Sequence, residues 1–275
     1  MDVTYPLFPT PPGDWRKNVF ALQSIRMAAI YNIIIRTLNS IIYHAHVVDK
    51  TDVHAFMRYC QNLATFVRYH TMVEDFIFLY LEMNLPGAQR DLIPDAMDLR
   101  DLNSWFELCS SIREGKVKYH SDKVLSLLKQ FADPLFVHME ETMAVLEASL
   151  LKKHIQIEML ASFEAELEAK NRNDCLPFSA APLLMLNSDC EHNPWFPPVP
   201  SAAILVLRYI MIPLNSNTWK FSQCDAYMRP KDKLNPPKTE SMMPPSVTFH
   251  ITAGLLSLAL SYFLYTLVVG HSVTP

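Results

Sequence analysis

The chain has 275 residues, of which 50% are hydrophobic and 19% charged; this excludes a disordered chain and allows one good core with extensions. Five glycines against 14 methionines favour helices, because glycine is costly inside a helix and methionine is not. A formal net charge of −4, without any Lys/Arg stripe, argues against nucleic acid as a partner.

The lead-in, Met1 to Pro12, is rich in proline and has no apolar stretch of the kind a secretory signal needs. A first helix is expected from Trp15 to Val48, with Met27, Ile30, Ile34, Leu38 and Ile41 recurring at spacings of three and four. Asp49 or Thr51 is expected to cap a second helix that runs to Met83. Its apolar stripe contains Phe56, Leu63, Val67, His70, Glu74, Ile77 and Leu81. A third helix is expected from Asp95 to Arg113, with Leu99, Leu102, Phe106 and Cys109 inward, ended by Glu114 and Gly115. A fourth starts near Ser121 and carries Val124, Leu128, Phe131, Leu135, His138, Thr142 and Val145 at bundle-seam spacing. Pro134 falls inside it, and a more polar helix follows from Lys152 to Lys170. The expected fold is therefore all-α: an antiparallel up-down four-helix bundle over residues 15–171. Residues 172–245 form a proline-rich, irregular extension. Pro177 to Pro245 holds 12 of the 20 prolines, which argues against a second helical core there.

The apolar stripes carry polar residues. His70 and Glu74 lie one turn apart on one face, so both reach one point in space. His138 lies on the inward face of the fourth helix, with Glu141 offset by part of a turn. Burying such groups without partners costs several kcal/mol in order of magnitude, so something must satisfy them. Inward His and carboxylate groups are the material from which bundles build metal sites, which makes His70, Glu74, His138 and Glu141 the metal-ligand candidates. A His/Glu pair at this spacing also bonds to itself in metal-free cores, and spacing alone leaves both readings open. The remaining histidines fit plainer roles. His44 and His46 meet a helix C-terminus, His54 and His120 lie at helix starts, and His154 falls in a charged patch. Cys60, Cys109, Cys175, Cys190 and Cys224 are odd in number and scattered, without a C-x-x-C. That argues against a disulfide framework or zinc site and for a reducing setting. No nucleophile–base pair, phosphate loop or cofactor fingerprint points to an enzyme.

Four segments carry a family resemblance. Residues 27–40 (MAAIYNIIIRTLNS), His70 to Glu82, residues 131–138 (FADPLFVH) and residues 219–225 (WKFSQCD) are similar, in order and spacing, to hemerythrin-like (HHE cation-binding) proteins of the fungal type. The resemblance covers Trp15 to Leu234. It implies a four-helix bundle whose inward His and carboxylate side chains hold two non-haem irons. His70, Glu74 and His138 match ligand positions. Tyr31, Asn103 and Thr142 stand where the family has ligands, with Glu141 beside Thr142. Only about half of the ligand set keeps ligand chemistry. The resemblance therefore implies no metal or a single iron rather than a di-iron centre, and a binding or scaffold role. The alternative is a non-haem iron protein for sensing or storing oxygen, nitric oxide or iron. In a metal-free site, Tyr31, His70, Glu74, Asn103 and Thr142 would form a hydrogen-bond network.

Ser241 to Pro275 contains no Asp, Glu, Lys or Arg. Its apolar stretch, within residues 249–270, has the roughly 20 residues that span about 30 Å of hydrocarbon as a helix. Arg229, Lys231, Lys233 and Lys238 precede it. The expectation is a tail anchor in a membrane with the bundle in the cytosol; the alternative is a cytoplasmic protein in which the segment packs on the bundle.

Overall fold

The computed structural model describes residues 4–173, 180–190, 195–197 and 201–231. Among them the chain is mostly helical and forms no β-strand. The four long helices are α1 (Val19–Val47), α2 (Val53–Asn84), α3 (Arg100–Arg113) and α4 (Ser121–Val145). Shorter ones follow: α5 (Ala148–His154), α6 (Ile157–Asn173), α7 (Ala181–Leu186), α8 (Ser201–Leu214, with a π-helical turn at Leu207–Met211) and α9 (Ser216–Trp219).

Local chemistry sets the helix starts, and it moves several of them from where periodicity puts them. Asp14 accepts a hydrogen bond from the Arg16 N–H, which holds residues 14–17 in a turn. Asn18 then caps α1 by accepting from the N–H groups of Phe20 and Ala21. Asp49 and Thr51 do not cap α2. The Asp49 carboxylate instead accepts from the Thr51 N–H and hydroxyl, closing a side-chain turn ahead of the helix. Asp98 makes the same kind of turn with the Arg100 N–H, so α3 begins at Arg100 rather than Asp95. Gly115, at φ +73°, ends α3 where expected, since glycine enters the left-handed region without a Cβ penalty.

The stripes of α2 and α4 are buried as their periodicity demands. That of α3 keeps Leu102 and Cys109 inward but takes Trp105 in place of Phe106. Trp105 is fully buried and donates its indole N–H to the Val124 carbonyl at 3.1 Å, whereas Phe106 is half-buried. Leu102, Trp105, Cys109 and Ile112 keep the same three–four spacing, and the larger ring takes the core. One hydrophobic cluster joins α1 to α6. Within it α2 packs on α3, α3 on α4, and α1 on α2, α4, α5 and α6.

Two segments expected to be irregular are ordered by side-chain clamps. The lead-in lies along α1. Asn39 exchanges two hydrogen bonds with the backbone of Tyr5, and Asn32 does the same with Phe8. The described residues of the extension, 180–190, 195–197 and 201–231, include short helices, with Pro182 in the first turn of α7. They pack on the α1–α2 pair. Phe221 fills a ring cluster with Phe56, Tyr59 and His44, and Arg36 pairs with Asp189 at 2.9 Å.

Among the described residues, one helix is long and apolar enough to cross a membrane, and it is α1 near the N-terminus rather than a C-terminal one. Of its apolar window, 78% is buried inside the protein, as in a core helix. The expected span at residues 249–270 lies outside the described residues.

Candidate functional site

The polar residues on the stripes of α1, α2 and α4 meet. Tyr31, Glu74, His70 and His138 are 0%, 2%, 5% and 6% exposed, so water contributes little to satisfying them. Glu74 is the centre. Its Oε1 accepts a hydrogen bond from the Tyr31 hydroxyl, and its Oε2 lies 2.9 Å from His138 Nε2. One turn earlier on α2, His70 Nε2 lies 3.6 Å from Glu74 Oε1 and has no hydrogen-bond partner. The Tyr31 ring stands edge-on to the His70 ring, with centroids 5.4 Å apart. Phe78 packs against His138, and Thr142 donates its hydroxyl to the His138 carbonyl one turn back.

Electrostatics follow from this geometry. Burial pushes the Glu74 carboxyl up, but His70 and His138 outweigh it and hold the group well below the usual carboxylate range. Burial, and then the neighbouring Glu74 charge, push the Tyr31 hydroxyl far above its ordinary value. Tyr31 is thus a proton donor to the carboxylate, and the cluster is a hydrogen-bonded network around Glu74, packed by the apolar rings of Phe8 and Phe78.

Two expected members stand elsewhere. Asn103 is exposed on α3, where its side-chain oxygen accepts from Arg68 at 3.0 and 2.6 Å. The inward place between Leu102 and Cys109 is taken by Trp105, and Asn103 lies about 200° from it around the helix. Glu141 is exposed on the outer face of α4, since Thr142 holds the inward position beside it. Neither reaches the cluster. Elsewhere His54 and His120 are exposed, His44 is buried against Ser40 and Phe221, and His154 is half-buried rather than solvated.

The cover over the site lies beyond what helix periodicity predicts. Phe8 of the lead-in packs on the Tyr31 ring at 5.7 Å and stacks on Phe136 of α4. Tyr5 packs on Phe136 and donates its hydroxyl to Asp133. The available signal is the pair Asn32 and Asn39, seven residues apart on one face of an otherwise apolar helix. Their partners, however, are backbone groups far away along the chain.

The donor set can be weighed against a di-iron centre. Such a centre needs several carboxylates and imidazoles free to bind metal. Here one carboxylate, Glu74, enters the cluster, and protein donors engage both of its oxygens. α3 supplies no ligand, and Glu141 faces outward. Among the described residues, no group of three or more His, Cys, Asp or Glu side chains is arranged to hold a metal ion. The residues do not fit a di-iron centre. Comparison of the chain with family models, with curated proteins and with solved structures returned no match.

Proposed function

We propose that the chain is a degenerate hemerythrin-like protein, an up-down four-helix bundle whose ligand site has become a hydrogen-bond network. In this reading it works as a membrane-anchored binding or scaffold module rather than as an enzyme. One observation carries the proposal: Tyr31 and His138 engage both oxygens of Glu74, the carboxylate that the sequence resemblance matches to a ligand. Such a network satisfies the Glu74 carboxylate, the Tyr31 hydroxyl and His138 Nε2 without an ion. The pairing of Tyr31 with Glu74, of Gln61 with Ser110 and of Trp105 with Val124 supports the bundle arrangement by linking successive helices. The charge-free stretch from Ser241 onward, with basic residues before it, supports the anchor and a cytosolic bundle. Elemental analysis of the freshly purified full-length chain tests the site. Less than about 0.1 iron per chain is the expected order, and two irons per chain would refute the reading. Retention in the membrane pellet after alkaline carbonate tests the anchor, and release into the supernatant contradicts it.

A second reading, a single iron used for sensing or storing oxygen, nitric oxide or iron, is favoured by the unpartnered His70 Nε2 beside Glu74. It requires iron binding that His70→Ala abolishes. A chain that stays colourless and metal-free after anaerobic ferrous loading ends it.

A further inference from the structure

The lead-in lies on the bundle as a peptide lies on a receptor. Residues 4–12 form no helix, and among the described residues their backbone makes no bond to other backbone groups. Two side chains of α1 hold it instead. Asn39 accepts from the Tyr5 N–H and donates to the Tyr5 carbonyl, both at 2.8 Å. Asn32 pairs with Phe8 in the same way, at 2.8 and 2.9 Å. The spacings of the two partners match. Seven residues of helix rise about 10.5 Å, and three residues of extended or polyproline chain cover roughly 9–10 Å. Pro6, Leu7, Pro9 and Thr10 face solvent. Two rings supply the side-chain contacts. Phe8 stacks on Phe136 of α4 and packs on Tyr31, each at 5.7 Å. Tyr5 is 7% exposed, lies 5.5 Å from Phe136 and donates its hydroxyl to Asp133.

We propose that the groove between α1 and α4 recognises an extended aromatic–Pro–X–aromatic segment of a partner protein, and that Tyr5-Pro6-Leu7-Phe8 is a tethered occupant that the partner displaces. An asparagine amide that pairs with both backbone groups of one residue reads main chain. The two clamps therefore accept any segment that presents its rings three residues apart. Proline between the rings holds the extended form in advance and lowers the entropy lost on binding. A segment without backbone ladder bonds opens locally at low cost, so the lead-in can leave while the bundle stays folded. The inference rests on the reading of the chain as a binding module and names its partner. It uses neither the metal content nor the membrane anchor, and iron or membrane results leave it standing.

The test reads a fluorescein-labelled peptide of residues 4–10, TYPLFPT, by fluorescence polarisation against the full-length chain in detergent. A control peptide has the same residues with its second ring moved by one position. Tyr5→Ala/Phe8→Ala withdraws the chain's own rings from the groove. That variant should bind the probe at least about tenfold more tightly than the wild type, in which the tethered segment competes at an effective concentration of about millimolar order. Adding Asn32→Ala should abolish binding, and the control should not bind. Hydrogen exchange on the wild-type chain needs no variant: excess probe should raise uptake at the Tyr5 and Phe8 amides. If the variant loses its cooperative urea transition, exchange alone decides. No binding by the folded variant, a control that binds as well as the probe, binding that survives Asn32→Ala, or uptake in residues 4–10 unchanged by excess probe would each overturn the proposal. So would a dimer that the probe splits into monomers, because the natural occupant would then be a second copy of the chain.

Discussion

Two buried polar clusters sit on the α1–α2 pair, and they are built differently. At the Tyr31 end, three helices contribute side chains that bond to one another around a single charge, Glu74. At the Ser40 end, the extension bonds the helices largely through backbone. Ser40 donates to the Phe221 carbonyl, Gln223 Nε2 donates to the Arg36 carbonyl at 2.8 Å, and Asn187 accepts from the Gln223 N–H at 3.3 Å. In each of those three bonds only one partner is a side chain, because the other is a backbone group present at every residue. The first cluster depends on each member. Docking of the extension thus depends on one side chain per backbone bond, while in the ligand-type cluster both partners of each bond are side chains.

The largest effect that separates the two clusters is expected from Glu74→Ala. It leaves His138 and the Tyr31 hydroxyl buried without their acceptor, at a cost of about 4 kcal/mol in urea unfolding. If the loss were under about 1 kcal/mol, the carboxylate would not be the centre of the cluster. Phe221→Ala should cost about 3 kcal/mol by leaving a cavity among Phe56, Tyr59 and His44. Its damage should be confined to the docked extension, which hydrogen exchange would reveal as loss of protection in residues 216–224 with protection kept near Glu74. Tyr31→Phe removes one hydroxyl and should cost about 1–2 kcal/mol.

Acid also discriminates. The folded Glu74 carboxyl titrates below its unfolded value of about 4.3. The unfolded chain therefore binds more protons in that range, and the stabilisation from the Glu74 carboxylate is full above about pH 4.3 and is lost as pH falls below it. Glu74→Gln should flatten this part of the stability–pH curve, and an unchanged slope would contradict a Glu74 carboxyl held below its ordinary value. The smallest effect is expected from Glu141→Gln, which should shift stability by less than about 0.5 kcal/mol because the side chain is exposed.

Much of the site is legible in the residue pattern alone. The three–four spacing on α2 and α4 marks His70, Glu74, His138 and Thr142 as inward, and all four are buried, because those stripes are long and have only one apolar phase. On α3 two phases are open, through Trp105 or through Phe106, and only packing against Val124 and Phe131 decides between them. That choice carries Asn103 to the surface. Glu141 is misplaced by the width of a stripe, since a residue next to an inward one sits about 100° away. The strap of Tyr5 and Phe8 is not legible, because its clamps at Asn32 and Asn39 act on backbone groups that proline-rich sequence does not advertise.

The most direct measurement is the urea midpoint of the full-length chain, taken with chelator and with excess ferrous iron. An ion that binds only the folded state raises the midpoint in proportion to the logarithm of its concentration. A site already filled by Tyr31, Glu74 and His138 predicts coincident curves. A midpoint that climbs with iron and stops climbing in His70→Ala would contradict it.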